Sequence, residues 1–222
     1  MVSVPSPTSS RKPSKRASSS SKPTRSPAAT WSSRPNSRPD RAALQAAAGK
    51  GLRDVIGPGL KVLFCGINPG LYSAATGLHF ARPGNRFWPA LHDAGFTPRR
   101  FDPSENRRLL ELGYGLTNLV NRGTAAADQL SPDELVAGGR RLAAKVRRYR
   151  PRAVAFVGLG AYRTAFGRPG ATLGLQSETL GGAQVWLLPS PSGLNANHQL
   201  PDLVKLFRAL RRQIWPPSST RR

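Results

Sequence analysis

The stretch that decides the fold covers residues 61–88 and reads KVLFCGINPGLYSAATGLHFARPGNRFW. It opens with a continuous apolar run, residues 62–65, which is too short to span a membrane and does not alternate with polar residues. Such a run is typical of a strand that is buried on both faces, as in a parallel sheet. The run ends at Gly66, and the Asn-Pro-Gly of residues 68–70 then breaks the strand. In open α/β sheets, ligands bind at this carboxyl end of the strands.

Three other segments are predicted to join this strand in a sheet. Residues 153–157 and 185–188 are again continuous apolar runs, and residues 114–120 have the composition of a strand. The spacing between these segments leaves room for helices, as expected of an α/β protein.

The best-defined helix begins after Ser131, a cap that is followed by Pro132 and by Glu134 three residues after the cap. It ends in arginines before Pro151 and leads into the strand at residues 153–157, so that the order predicts a β-α-β unit. Further helices are predicted over residues 41–57, residues 85–94 with Asn85 as the cap, residues 104–112 and residues 201–214.

The chain is strongly basic. Its 222 residues contain 34 Lys and Arg against 11 Asp and Glu, which gives a net charge of +23. Residues 1–40 hold eight basic residues, 13 Ser and 7 Pro, and we expect them to form a disordered tail. One domain should follow over residues 41–216, with a short basic tail over residues 217–222. Because the chain beyond residue 40 still carries +16, the charge favours a nucleic acid as partner over mere solubility.

The composition excludes several classes of protein. A single cysteine, Cys65, rules out an internal disulfide and a Cys-rich metal site. There is no apolar stretch as long as a membrane helix and no signal-peptide core, so we expect a cytoplasmic, nucleoid-associated protein without a membrane partner. The Gly-Leu-Gly turn at residues 158–160 lacks the full spacing of a dinucleotide-binding loop, which disfavours a nucleotide-binding enzyme.

Two loops carry the residues with chemical potential, INPG at residues 67–70 and PSPSGLN at residues 189–195. Each follows a predicted buried strand, and parallel strands bring such loops to the same edge of the sheet. Neither loop contains a pair of carboxylates, a Ser-His-Asp set or the Cys and His ligands of zinc. A reaction at this edge must therefore rely on amides, hydroxyls and backbone donors, which position groups and stabilise charge.

Three motifs together resemble a known family: GINPGL at residues 66–71, FARPGNRFW at residues 80–88 and LPSPSGLN at residues 188–195. They are similar to the mismatch-specific uracil-DNA glycosylases, the mug and thymine-DNA glycosylase branch of the uracil-DNA glycosylase superfamily. The resemblance implies a single three-layer α/β domain with a central, mostly parallel sheet, without metal or cofactor, acting as a monomer. It implies an enzyme that flips uracil, or less readily thymine or ethenocytosine, out of a G·U or G·T mismatch in double-stranded DNA and hydrolyses the N-glycosidic bond.

The resemblance also implies roles for individual residues. Asn68 matches the catalytic asparagine whose amide positions the attacking water, although Asn before Pro is also a common turn former. Phe80 matches the aromatic residue on which the flipped base stacks, a position that ordinary core packing would also explain. Leu194 matches the wedge that enters the duplex, whereas the loop by itself would be a tight surface turn. The implied set is completed by a base pocket of Gly66, Ile67, Gly70, Leu71, Ser73 and Phe80, and by a DNA-contacting loop of Ser192, Gly193, Leu194 and Asn195.

The second loop departs from the family pattern. Ser190 and Asn195 stand where the branch commonly has Asn and Ser, and Leu188 stands where other branches have His. Without a cation at that position to neutralise the departing base, the resemblance implies a slow enzyme that favours good leaving groups. The alternative that the residues leave open is a non-catalytic protein that reads mismatches or binds DNA in general through its charge.

Overall fold

A computed structural model describes residues 38–215 of the chain. The predicted basic tails, residues 1–40 and 217–222, lie outside the described residues except for residues 38–40. Among residues 38–215, no helix is long and apolar enough to cross a membrane.

The centre of the domain is a five-stranded sheet in the order β2-β1-β3-β5-β4. Neighbouring strands run parallel, except that β4 pairs antiparallel with β5 at one edge of the sheet. Every residue of β1, β2 and β3 is buried, as the continuous apolar runs predict for β1 and β3. The strands are β1 (Val62–Gly66), β2 (Tyr114–Asn118), β3 (Ala153–Val157), β4 (Gly174–Leu180) and β5 (Ala183–Leu188).

Helices cover both faces of this sheet. The α-helices are α1 (Arg41–Gln45), α2 (Leu71–Thr76), α3 (Phe87–Asp93), α4 (Pro132–Tyr149), α5 (Leu159–Phe166) and α6 (Leu200–Ile214). Two 3-10 helices cover Pro103–Leu112 and Ala127–Gln129.

The side chains of β1 divide the core into two layers because they alternate between the faces of the sheet. Val62 and Phe64 pack in one apolar cluster with residues of α3 and α6. Leu63 and Cys65 pack in a second cluster with residues of α4 and α5. The predicted fold class, a single three-layer α/β domain with a mostly parallel central sheet, is thereby confirmed.

The predicted helix at Ser131 is confirmed in detail, because the Ser131 hydroxyl and the Glu134 carboxylate form a capping box at the start of α4. The predicted helix over residues 41–57 is wrong beyond Gln45. Past this point the backbone bonds to a distant segment instead: the N–H of Gly49 donates to the carbonyl of Gly123, and the N–H of Gly123 donates to the carbonyl of Lys50.

Other helix ends differ by smaller amounts. The helix predicted over residues 85–94 begins at Phe87, with Arg86 at the cap position, although the Asn85 carboxamide does accept a hydrogen bond from the Phe87 N–H at 2.9 Å. The segment 104–112 forms a 3-10 helix capped by Asp102. The predicted strand 114–120 ends at Asn118. Helices α2 and α5 and strand β4 have no counterpart in the sequence-based prediction.

Candidate active site

The two loops predicted to share one edge of the sheet do so. They follow β1 and β5, which flank β3, and both line a single cavity of about 220 Å³ at the carboxyl ends of the parallel strands. The lining residues are Leu52, Ile67, Asn68, Pro69, Gly70, Ser73, His79, Phe80, Arg82, Asn85, Asn118, Thr124, Ala125, Ala126, Ala127, Val157, Ser190, Pro191, Ser192 and Leu194.

Most of the site residues implied by the family resemblance lie around this cavity. Seven line it: Ile67, Asn68, Gly70, Ser73, Phe80, Ser192 and Leu194. The other four, Gly66, Leu71, Gly193 and Asn195, are neighbours of lining residues in sequence but do not line the cavity themselves. No residue of the lining set is an Asp or a Glu, so the cavity offers no carboxylate as a general base.

The carboxamide of Asn68 is held in one orientation. Its Nδ2 donates to the Arg122 carbonyl oxygen at 2.8 Å and to Thr124 Oγ1 at 2.6 Å. Since a backbone carbonyl can only accept, the amide nitrogen must point to Arg122. The Thr124 hydroxyl donates onward to the Ala126 carbonyl at 2.8 Å and is therefore an acceptor towards Asn68. This leaves the Asn68 Oδ1 as an acceptor for a water or another ligand donor in the cavity.

An ion pair fixes Arg122, whose carbonyl oxygen accepts the hydrogen bond from Asn68. The guanidinium of Arg122 donates from Nε to Glu134 Oε1 at 2.6 Å and from a terminal nitrogen to Glu134 Oε2 at 2.8 Å. It also donates to the Gln129 carbonyl at 3.0 Å. Because Glu134 lies in the first turn of α4, the orientation of Asn68 depends on a helix that is remote from it in sequence.

Glu134 should make the stability of the fold depend on pH. The guanidinium of Arg122 and the N–H of Ser131 lower the pKa of Glu134 from 4.5 to about 2. Above about pH 4.5 this stabilisation is complete, and it is lost as the pH falls towards 2, because the unfolded chain takes up the proton more readily. Glu134→Gln should therefore lower the urea midpoint at pH 7 and flatten its decline below pH 4.5.

Glu105 provides an independent second case of the same effect on another element. It too is the third residue of a capping box, and the guanidinium of Arg99 lowers its pKa to about 2. Glu105→Gln should flatten the same pH window, and the double variant should flatten it further because the two sites share no partner. A decline as steep in Glu134→Gln as in the wild-type protein would contradict the stabilising role of the Arg122 pair.

Phe80 is held in an unusual backbone conformation beside the cavity. Its φ is +54°, in the left-handed region that bulky residues rarely adopt. The ring stacks on the buried ring of Phe87, with 4.0 Å between centroids and 16° between planes. Strained residues of this kind persist where the surroundings fix them and cluster at functional sites. The strain is consistent with a ring presented to a ligand.

Asn118 is a cavity residue that the sequence interpretation missed. It ends β2 directly beside Gly66, and a Cβ at Gly66 would lie 2.6 Å from Asn118 Oδ1 and 3.3 Å from Phe80 Cζ. The missing side chain at Gly66 thus creates the space that these two groups occupy. The rule that singled out Asn68, a polar residue at the carboxyl end of a buried strand, would also have found Asn118 if the strand had been ended there.

His79 is a buried cavity residue whose surroundings favour the neutral ring. Its Nε2 lies 3.0 Å from the Arg53 carbonyl, which can only accept, so this nitrogen carries the proton. Burial lowers the pKa of His79, and the hydrogen bond to Arg53 opposes this effect only in part. Within residues 38–215, no group of three His, Cys, Asp or Glu residues is arranged as a metal site.

The second loop presents an exposed apolar side chain at the mouth of the cavity. Leu194 is 72 % exposed, the highest fraction among the large hydrophobic residues of the described part. Ser192 and Asn195 shape the loop: the Ser192 carbonyl accepts from the Asn195 N–H at 2.9 Å, and Asn195 Nδ2 donates to the Ser190 carbonyl at 3.0 Å. An exposed leucine on an ordered turn is suited to insertion between flat surfaces such as stacked bases.

Comparison with known proteins identifies the family and the fold. The sequence profile of the uracil DNA glycosylase superfamily matches residues 54–216. Among solved structures, the fold is similar to that of a Methanosarcina acetivorans protein, studied by NMR in solution and provisionally assigned as a uracil DNA glycosylase. That match has a TM-score of 0.50 at 19 % sequence identity and covers 73 % of this chain and 98 % of the other.

Proposed function

Because the chain belongs to the uracil DNA glycosylase superfamily, we propose that it removes uracil from G·U mismatches in duplex DNA by hydrolysing the N-glycosidic bond. Membership in the superfamily supports a DNA-repair glycosylase that acts on DNA. The mismatch preference, the mug and thymine-DNA glycosylase branch, and a monofunctional reaction that leaves an abasic site are parts of the proposal. Thymine and ethenocytosine opposite guanine are the further substrates that it includes.

The observation that carries the proposal is the orientation of Asn68. With its Nδ2 tied to Arg122 and Thr124, the carboxamide keeps Oδ1 available to accept a hydrogen bond from the attacking water. A neutral amide can orient this water but cannot strongly deprotonate it, so most of the acceleration must come from positioning. As the bond breaks, positive charge of the oxocarbenium type develops on the sugar. A well-placed water then attacks this sugar.

The cavity walls suit a flipped pyrimidine. The Phe80 ring is fixed from behind by Phe87 and offers an aromatic surface for stacking. The Asn118 carboxamide supplies a donor and an acceptor, the combination that matches the N3–H and the O4 of uracil. The backbone N–H groups of Gly70 and Leu71 would stabilise the departing anionic base, and Ser73 would lie near its 5 position.

The leaving base finds no histidine at the end of β5, although Arg82 is one of the residues that line the cavity. Leu188 is fully buried where a histidine would otherwise supply a cation, and burial lowers the pKa of His79, which disfavours its charged form. The proposed enzyme therefore depends on bases that leave readily, and we expect slow turnover.

Leu194 would enter the duplex and fill the space that the flipped base vacates, with Gly193 and Asn195 facing the orphaned guanine. Affinity for the duplex would come from the charge of the domain: residues 38–215 contain 25 Lys and Arg against 11 Asp and Glu. The same charge is the observation that favours the second candidate, a DNA-binding protein without catalytic activity. The tail of residues 1–40 would add non-specific phosphate contacts.

One panel of substrates tests the proposal. Duplexes that carry G·U, G·T, A·U or G·ethenocytosine, and a single strand that carries uracil, are incubated with the full chain and then treated with alkali. We expect strand breaks at uracil in the G·U duplex, formed at the highest rate of the duplex set. Binding to every duplex without base release from any substrate would contradict the glycosylase and favour the DNA-binding protein.

A further inference from the structure

Arg86, at the start of α3, connects this helix to the loop that follows β5. Its guanidinium donates to two backbone carbonyls of the second loop, that of Ser192 at 2.5 Å and that of Asn195 at 2.9 Å, and to that of His198, just after the loop, at 2.6 Å. Its backbone N–H donates to the Pro191 carbonyl at 2.9 Å. Arg86 is thus bonded to both ends and to the middle of the turn that carries Leu194.

The rest of this loop is bonded mainly to itself. The other hydrogen bonds of Ser192 and Asn195 stay within residues 190–197. In the described part of the chain, every hydrogen bond from residues 189–198 to a segment before β5 has Arg86 as its donor. Without Arg86, the loop would keep its internal turn but lose its attachment to the body of the domain.

The attachment is also a close fit of backbone against backbone. Gly193 lies against the carbonyl of Gly84, and a Cβ at Gly193 would come within 2.9 Å of that oxygen. Arg86 is moreover the cap residue of α3, whose first residue, Phe87, supports the Phe80 ring. The position of Leu194 is therefore set relative to Phe80 through residues that follow one another in sequence.

We propose that Arg86 is a positioning residue that holds Leu194 ready for insertion and so directs the enzyme to duplex DNA. The inference rests on the proposed function. Opening a duplex and flipping a base has a free-energy cost that a single strand does not impose, and the inserted wedge offsets it. A wedge that is already ordered loses less conformational entropy on binding than a free loop. The three carbonyls need the planar fork of a guanidinium, which a lysine does not reproduce.

Arg86→Lys tests this role because it preserves the charge and removes the fork. In the full chain we expect faster amide hydrogen exchange in residues 190–198 and a loss of about 10-fold or more in base release from the G·U duplex. Release from single-stranded uracil DNA should change by less than about 3-fold, since no stack has to be opened there. Leu194→Ala should show the same duplex-selective loss, and the double variant should be no worse than either single variant.

Two further variants separate the clamp, the set of hydrogen bonds from Arg86 to the backbone of residues 191–198, from general effects on folding. Gly193→Ala leaves Arg86 intact but pushes the loop away from Gly84, and should reproduce the duplex-selective loss. Arg163→Lys is the matched control, because Arg163 also donates to a backbone carbonyl, that of Ala171 at 2.6 and 2.9 Å, and lies outside the cavity. It should change neither loop exchange nor the ratio of duplex to single-strand release.

A fluorescent base next to the mismatch gives a readout that needs no cleavage. Insertion of Leu194 unstacks 2-aminopurine and raises its fluorescence, and Arg86→Lys should reduce this rise at saturating protein. An unchanged rise, or equal losses of base release on duplex and single strand, would overturn the positioning role. If the wild-type protein raises the fluorescence but releases no base, the glycosylase proposal fails while the clamp stands.

Discussion

Asn68→Ala is expected to reduce base release from the G·U duplex by about 100- to 1,000-fold, the range found when one pre-organised polar group is removed from an active site. The loss should fall on kcat, because the carboxamide is proposed to hold the water that attacks the sugar rather than the DNA itself. Affinity for the duplex should stay within about 3-fold of the wild-type value, since phosphate contacts supply most of it. Single-turnover rates and duplex binding, measured on the same protein, check both parts.

The change also leaves two acceptors, the Arg122 carbonyl and Thr124 Oγ1, without their donor, so we expect a loss of about 1–3 kcal/mol in the free energy of unfolding. Asn121→Ala is a suitable control for this effect. The Asn121 carboxamide also joins two segments, accepting from the Leu52 N–H at 2.6 Å, but it does not line the cavity. Comparable loss of stability with near-normal base release in Asn121→Ala would assign the Asn68 effect to chemistry. Unchanged turnover in Asn68→Ala would contradict the proposed role.

The parts of the fold that could be predicted from the sequence are those with strong local signals. Continuous apolar runs located β1 and β3, and the capping box at Ser131 located α4, because each pattern follows directly from local burial or hydrogen bonding. Strand β4 has no such signal. Its residues alternate between half-buried and exposed, since it lies at the edge of the sheet and pairs on one side only.

At the candidate site, too, the sequence predicted only the features that have a local signal. The two loops were predictable because a parallel sheet places the ends of its strands at one edge. The partners that fix them were not: Asn68 bonds to Arg122 and Thr124, more than 50 positions away in sequence, and Arg86 bonds to carbonyls more than 100 positions away. Backbone carbonyls carry no sequence signature, so an arginine that binds them looks like any other surface arginine.

Gly66→Ala is expected to have the second-largest effect, a loss of about 100-fold in base release with little change in fold. The strand cannot move to make room, because Gly66 pairs with Asn118 in the register of β1 and β2 and both residues are buried. The new methyl group would lie 2.6 Å from Asn118 Oδ1 and 3.3 Å from the Phe80 ring. The carboxamide is the more easily displaced of the two, so it should rotate away from the proposed uracil edge.

A double-mutant cycle tests whether Gly66 acts through Asn118. If the methyl group does no more than displace the carboxamide, then Asn118→Ala should cause a comparable loss, and adding Gly66→Ala to it should have little further effect. Gly170→Ala controls for the substitution itself, since a Cβ there meets no atom within 4 Å. The free energy of unfolding of Gly66→Ala should fall by no more than about 1–3 kcal/mol, the usual cost of overpacking. Fully additive losses would contradict the link to Asn118, because the methyl group would then act on base release by a route that does not involve the carboxamide.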